Sequence, residues 1–177
     1  MPDLNIPVDE KFTINFKHNG GKFLYCDSIN EVFSNLDNII IENKWQDQTF
    51  FSMDKRLEEK FSKQEINFTN LPNKSEIFFT TCEHLIAQNG SILVCSNQLK
   101  ERKLHELPSN VIVFATTSQM VESIGEGLKT IKKKYKNVIP ANITTIKHFQ
   151  PTAENSDDFL TYGSSSKNLY LLLLEDL

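Results

Sequence analysis

The stretch that most limits the possible folds is residues 80–96, TTCEHLIAQNGSILVCS. Two apolar runs, 84–87 and 92–95, flank Asn89-Gly90. Each run is too short for a helix of ordinary length, and Ile92, Leu93 and Val94 favour strand. Asn-Gly is a strong two-residue hairpin signal, because both residues accept positive φ. The expectation is a buried hairpin with a tight turn at 89–90, wedged into the middle of the main sheet. Residues 80–83 are its polar lead-in.

Around this hairpin the chain alternates between strand and helix patterns. Residues 22–26 (KFLYC) read as a strand, and Asp27 or Ser28 suits the N-cap that follows. Val32, Phe33, Leu36, Ile39 and Ile40 then keep helical spacing. Strand candidates at 49–52 and 66–68 bracket a charged helix opened by Asp54. Residues 111–115 (VIVFA) are uncharged and rich in β-branched side chains, the mark of a strand buried on both faces. Residues 116–119 supply a cap, and Val121, Ile124, Leu128 and Ile131 mark one face of the next helix. A strand candidate at 142–146, a long polar loop at 147–158 and a closing apolar strand at 169–175 complete the chain. This order predicts an α/β fold: a three-layer α/β/α sandwich on a mainly parallel open sheet, with one hairpin. Phe12, Ile14 and Phe16 alternate among polar neighbours, so residues 1–21 are expected as an N-terminal arm packing on this subunit or on a partner. Residues 22–177 are expected as one domain.

A chain of 177 residues suffices for one domain with a real core. Its net charge of −4 sets up no field that would draw in nucleic acid or a membrane surface. Aromatic and basic residues are not interleaved, so no nucleic-acid partner is expected. The longest apolar run, 169–174, falls far short of the ~20 residues of a spanning helix. No basic segment followed by an apolar core opens the sequence, so the expected location is cytoplasmic. Cys26, Cys82 and Cys95 are widely spaced, lack a CxxC pattern and read as reduced, buried thiols. No cofactor is expected in this chain, and the four histidines lack metal-ligand spacing. Dinucleotide, P-loop, zincin and nucleophile-elbow patterns are absent.

Open α/β sheets bind ligands beyond the carboxyl ends of their strands. The polar segments expected there are 80–83, 116–119 and 162–166. Glu83 is a candidate general base or nucleophile if burial raises its pKa, and otherwise a hydrogen-bonded carboxylate. His84 heads an apolar strand and reads as a structural histidine. Four groups are candidates for holding a small anion. They are the loop residues Arg102, Lys103 and His105, the backbone N–H groups of Gly90 and Ser91, Thr117 with Ser118, and Gly163 with Ser164. Each also has a plainer reading: solvated loop, hairpin turn, helix cap or connector. Lys132, Lys133, Lys134 and Lys136 read as a solvated helix end, where cations complement the dipole.

Three blocks stand in order: TTCEHLIAQNGSILV, LPSNVIVFATTSQMVESIGEGL and YGSSSKNLYLLLLED. Together they resemble the lactate-utilisation (LUD) domain family, in particular its short C-type members. That resemblance implies the fold of the CoA-transferase and ribose-phosphate isomerase group. It also implies partner proteins with cysteine-rich iron–sulfur motifs that oxidise L-lactate, with this chain as the cluster-free component. Two segments depart from the family pattern. Lys100-Glu101-Arg102-Lys103 stands where a gly-arg-arg-like segment is usual. His148-Phe149-Gln150-Pro151-Thr152-Ala153-Glu154 stands where gly-pro-ser-arg-thr-ala-asp is usual. Any phosphate or acid site formed by those segments is therefore altered here. Three readings remain open: accessory subunit, small-molecule enzyme using Glu83 beside Arg102 and Lys103, and non-catalytic assembly module. The oligomeric state, a homo-oligomer included, also stays open.

Overall fold

A computed structural model describes residues 6–149 and 167–177. Six strands pair in parallel to form the main sheet. Their spatial order is β1 (Lys22–Cys26), β10 (Asn168–Leu174), β7 (Asn110–Thr116), β4 (Ile77–Thr80), β2 (Thr49–Phe51) and β3 (Asn67–Thr69). β7 and β10 show why the sheet is central. Side chains alternate across a strand, and both sets here are apolar. Val111, Val113, Ala115, Leu169, Leu171 and Leu173 enter one core, while Ile112, Phe114, Tyr170 and Leu172 enter the other.

The second of these cores lies under α2 (Ile29–Glu42) and α3 (Lys55–Lys60). α2 buries Val32, Leu36, Ile39 and Ile40, four of the five residues that its periodicity marks, and Phe33 packs half-buried beside them. Ser28 is its N-cap: the hydroxyl accepts from the Glu31 N–H at 3.3 Å, and the Glu31 carboxylate accepts from the Asp27 N–H at 2.7 Å. Asp54 caps α3 by accepting from the N–H groups of Arg56 and Leu57. Phe61 packs against Phe79 and Phe114, and Trp45 meets Phe50 edge-on. The mainly parallel sheet flanked by helices is thus the expected fold class.

The hairpin is not where it was expected. It belongs to a second, four-stranded sheet with the order β8 (Met120–Val121), β5 (His84–Ile86), β6 (Ser91–Val94), β9 (Thr144–Ile146). This small sheet lies across the other face of the main sheet. Leu85, Ile92 and Val94 join the core on β7 and β10, whereas Ile86 and Leu93 face α5 (Ile124–Lys134) through Ile131. A strand sandwiched between a sheet and a helix is as apolar on both sides as a central strand, so its composition cannot separate the two. The turn is also wider than two residues. Ile86 pairs with Ser91, so 87–90 form the loop, with the Gly90 N–H donating to the Ile86 carbonyl at 2.9 Å. Only Gly90 takes a positive φ, +68°, while Asn89 acts through its side chain, accepting from the Ser91 N–H and hydroxyl.

The alternating N-terminal segment is a helix, α1 (Val8–His18), over the residues described. Phe12 and Phe16 lie one turn apart, are fully buried and stack at 5.2 Å. The Asn15 side-chain amide donates to the carbonyls of Ala87 and Gln88, and that of Asn19 to Asn89 and Gly90. This segment therefore docks on its own subunit, against the hairpin loop.

Candidate functional site

The carboxyl ends of β4 and β7 run directly into the second sheet. β4 continues through residues 81–83 into β5, and β7 through a 3-10 turn, Thr117–Gln119, into β8. Gln119 binds this seam together. Its amide donates to the carbonyls of Cys82 at 2.7 Å and Glu83 at 3.3 Å, while its side-chain oxygen accepts from the Thr116 N–H at 2.8 Å. The cap expected at 116–119 closes this 3-10 turn, and Ser123 caps α5 instead, accepting from the Glu126 N–H.

Glu83 sits at the seam with 9% of its surface exposed. One carboxylate oxygen accepts from the Gln98 amide at 2.7 Å and the Asn97 amide at 3.3 Å, and the other from the Tyr135 hydroxyl at 3.1 Å. Burial alone would push its pKa up. The bonds from Gln98, Asn97 and Tyr135, with the charge of Lys134, outweigh burial and hold the carboxyl below its ordinary range. The condition for a raised-pKa base is therefore not met: Glu83 is an ionised carboxylate with both oxygens hydrogen-bonded. It ties the β4–β5 link to α4 (Ser96–Leu99) and to the end of α5. Beside it, burial raises the Cys82 thiol far above its ordinary pKa, so no nucleophilic thiolate forms there at neutral pH. Burial also raises Cys26, and Cys95 to about 11.

The anion candidates fare differently from one another. Thr117 and Ser118 do hold a carboxylate, but it is the chain's own. Asp176 accepts from the Thr117 hydroxyl at 2.9 Å, the Ser118 N–H at 2.8 Å and the Ser118 hydroxyl at 2.6 Å. The N–H groups of Gly90 and Ser91 are spent on Ile86 and Asn89 and offer nothing to an anion. Arg102 stacks its guanidinium over the ring of Phe51, the last residue of β2, at 5.8 Å. It thus stands at the carboxyl edge of the main sheet. Lys103 and His105 are exposed on the neighbouring 3-10 turn. The Nδ1 atom of His84 faces the Gln119 carbonyl at 3.0 Å, so it carries the proton, as a structural histidine does. Gly163 and Ser164 lie outside the described residues. Lys132, Lys133, Lys134 and Lys136 are exposed at the end of α5, as a solvated helix terminus.

Sequence reasoning named Gln119 only within the polar cap segment 116–119, and missed Gln98, Asp176 and Lys167. The first two carried a signal. Thr116-x-x-Gln119 is a capping box, and Cys95-x-x-Gln98 closes an equivalent one. Asp176 and Lys167 gave none, because their partners lie 58 or more residues away. Lys167 is 3% exposed and donates to the carbonyls of Leu104, Leu107 and Pro108 at 2.6, 3.1 and 3.2 Å. Burial lowers its pKa to about 8. Among the described residues, no group of three or more His, Cys, Asp or Glu side chains is placed to hold a metal ion.

The profile of the LUD domain family matches residues 10–174. No curated protein sequence matches the chain. Its fold is similar to that of a DUF162 family protein from Deinococcus radiodurans, solved as a crystal structure. The two superpose with a TM-score of 0.65 at 9% identity, over 96% of this chain and 96% of that one.

Proposed function

Because the chain belongs to the LUD domain family, we propose that it is a cluster-free accessory component of lactate, or related 2-hydroxy acid, utilisation. It works in the cytoplasm with partner proteins that carry iron–sulfur clusters. The family match over residues 10–174 carries this reading. The thiols support it. Cys26 ends β1, Cys82 lies in the β4–β5 link and Cys95 follows β6, all buried with raised pKa values. They do not form a set of thiolates for a cluster. The state of Glu83 also favours an accessory role over catalysis by this chain. A carboxylate that accepts three hydrogen bonds and is held below its ordinary pKa is a weak base with no free oxygen to offer. Fold analogy to CoA-transferase enzymes adds little, since that scaffold serves many chemistries.

Affinity isolation of the tagged full-length chain tests the proposal. The expected result is co-isolation of cysteine-rich proteins and the visible absorbance of iron–sulfur clusters in the complex. Turnover of a small-molecule substrate by the isolated chain, lost in Glu83→Gln, would replace this reading with an enzymatic one.

A further inference from the structure

Residues 127–147 carry six lysines and no Asp or Glu, within a chain of net charge −4. The overall charge therefore hides a local excess of the opposite sign. Lys129, Lys132, Lys133 and Lys136 are exposed along α5 and just beyond its end. The loop that follows, 137–143, turns aliphatic side chains to solvent: Val138 is 78% exposed, Ile139 51% and Ile143 39%.

This loop is pinned at its base. The Ser96 N–H donates to the Ala141 carbonyl at 2.8 Å, and the Ser96 hydroxyl accepts from the Ala141 N–H at 3.1 Å. The Asn142 side-chain amide donates to the carbonyls of Arg102 at 2.7 Å and Lys100 at 3.3 Å, with Asn142 itself at φ +55°. Pro140 is buried. A loop fastened in this way keeps Val138 and Ile139 outside the core, at a standing cost of apolar surface in water. The same bonds set the 100–103 segment beside it, with Lys100 and Lys103 exposed and one carboxylate, Glu101.

We propose that this ridge docks the protein peripherally on an anionic lipid surface. Val138 and Ile139 enter the headgroup boundary, and the lysines meet the negative headgroups. Composition favours lipid over a protein partner. Protein interfaces are enriched in Arg and aromatic residues and depleted in Lys. Residues 127–147 contain no Arg, and their one aromatic residue, Tyr135, is half-buried with its hydroxyl on Glu83. A nucleic acid would engage the lysines but leave the aliphatic pair in water. The inference is independent of the lactate reading.

Co-sedimentation of the full-length chain with vesicles of mixed phosphatidylserine and phosphatidylcholine, against vesicles of phosphatidylcholine alone, tests it. Binding to the mixed vesicles only, weakening as salt is raised, is expected. Lys133→Gln combined with Lys136→Gln should weaken that binding about tenfold or more. Val138→Ser combined with Ile139→Ser should weaken it about tenfold. Circular dichroism checks that the variants fold, and Val138→Ser alone carries the apolar arm if the pair does not. No binding to the mixed vesicles, or equal binding to both kinds, would overturn the proposal. Binding lost in the lysine variant but unchanged in the serine variant would overturn it equally and assign the ridge to a soluble acidic partner.

Discussion

The Asp176 carboxylate closes on Ser118, accepting from its backbone N–H at 2.8 Å and from its hydroxyl at 2.6 Å. Asp176 thereby seals the carboxyl edge of β7, the place where a sheet of this kind would receive an anion. The hydrogen bonds from Ser118 are the largest influence on Asp176 and hold its pKa below the ordinary 3.8. A group depressed in the folded state stabilises above its unfolded pKa and loses that effect as pH falls through the folded one. Asp176→Ala should therefore speed hydrogen exchange at the Ser118 amide at neutral pH and leave the core strands protected. Equal exchange in the two proteins would show that the contact does not persist in solution.

Glu83→Gln keeps the shape of the side chain but loses the charge that three donors converge on. A loss of about 1–3 kcal/mol at neutral pH is expected, the scale of hydrogen bonds to a charged group. The folded pKa lies below the ordinary 4.5, so the parent holds its full advantage above that pH. The gap to the variant should narrow as pH falls below it. Urea midpoints of both proteins across the acid range measure this, and a gap that widens toward low pH would contradict the assignment.

Lys167 runs the other way. Its folded pKa of about 8 lies below the ordinary 10.5, so folding disfavours the charged form and stability rises as pH climbs between the two values. Relative to Lys167→Met, the parent should gain roughly 3 kcal/mol across that window, from 1.36 kcal/mol for each pKa unit. A flat difference would show that the three carbonyls offset the desolvation of the ammonium.

Gly90 cannot carry a side chain without cost. A Cβ there would lie 2.4 Å from the backbone of Asn15 and Phe16, at a φ of +68°. Gly90→Ala should destabilise by about 2 kcal/mol or more. Gly125→Ala is the contrast. Its Cβ meets nothing closer than the Ser123 hydroxyl at 3.8 Å, and helix propensity should yield a gain of up to about 1 kcal/mol. Thermal melts of the two variants rank these effects, and similar losses in both would remove the packing of α1 on the loop as the cause.

The same residues show how far sequence reading reaches. The Val-Ile-Val-Phe-Ala run of β7 and the five-residue stripe of α2 declared themselves, because each periodicity is local and its burial follows from it. Phe12 and Phe16 were spaced for a helix as much as for a strand, since residues two apart also fall four apart when three recur. Packing on the hairpin loop decides for the helix. The apolar hairpin announced its burial but not its layer, because neighbours on both sides look alike from composition. At the site, Glu83 and Thr117–Ser118 drew attention by type and position. Their actual states depend on Gln98, Tyr135 and Asp176, contacts separated by 15 to 59 residues, which no local pattern encodes.

L-lactate-dependent reduction of an electron acceptor, measured on the purified chain alone and with purified iron–sulfur partners, tests the functional account most directly. The account predicts no turnover from the chain by itself, turnover in the reconstituted mixture, and loss of that turnover when this chain is left out. Full activity from the partners without it, or lactate oxidation by the chain alone, would contradict it.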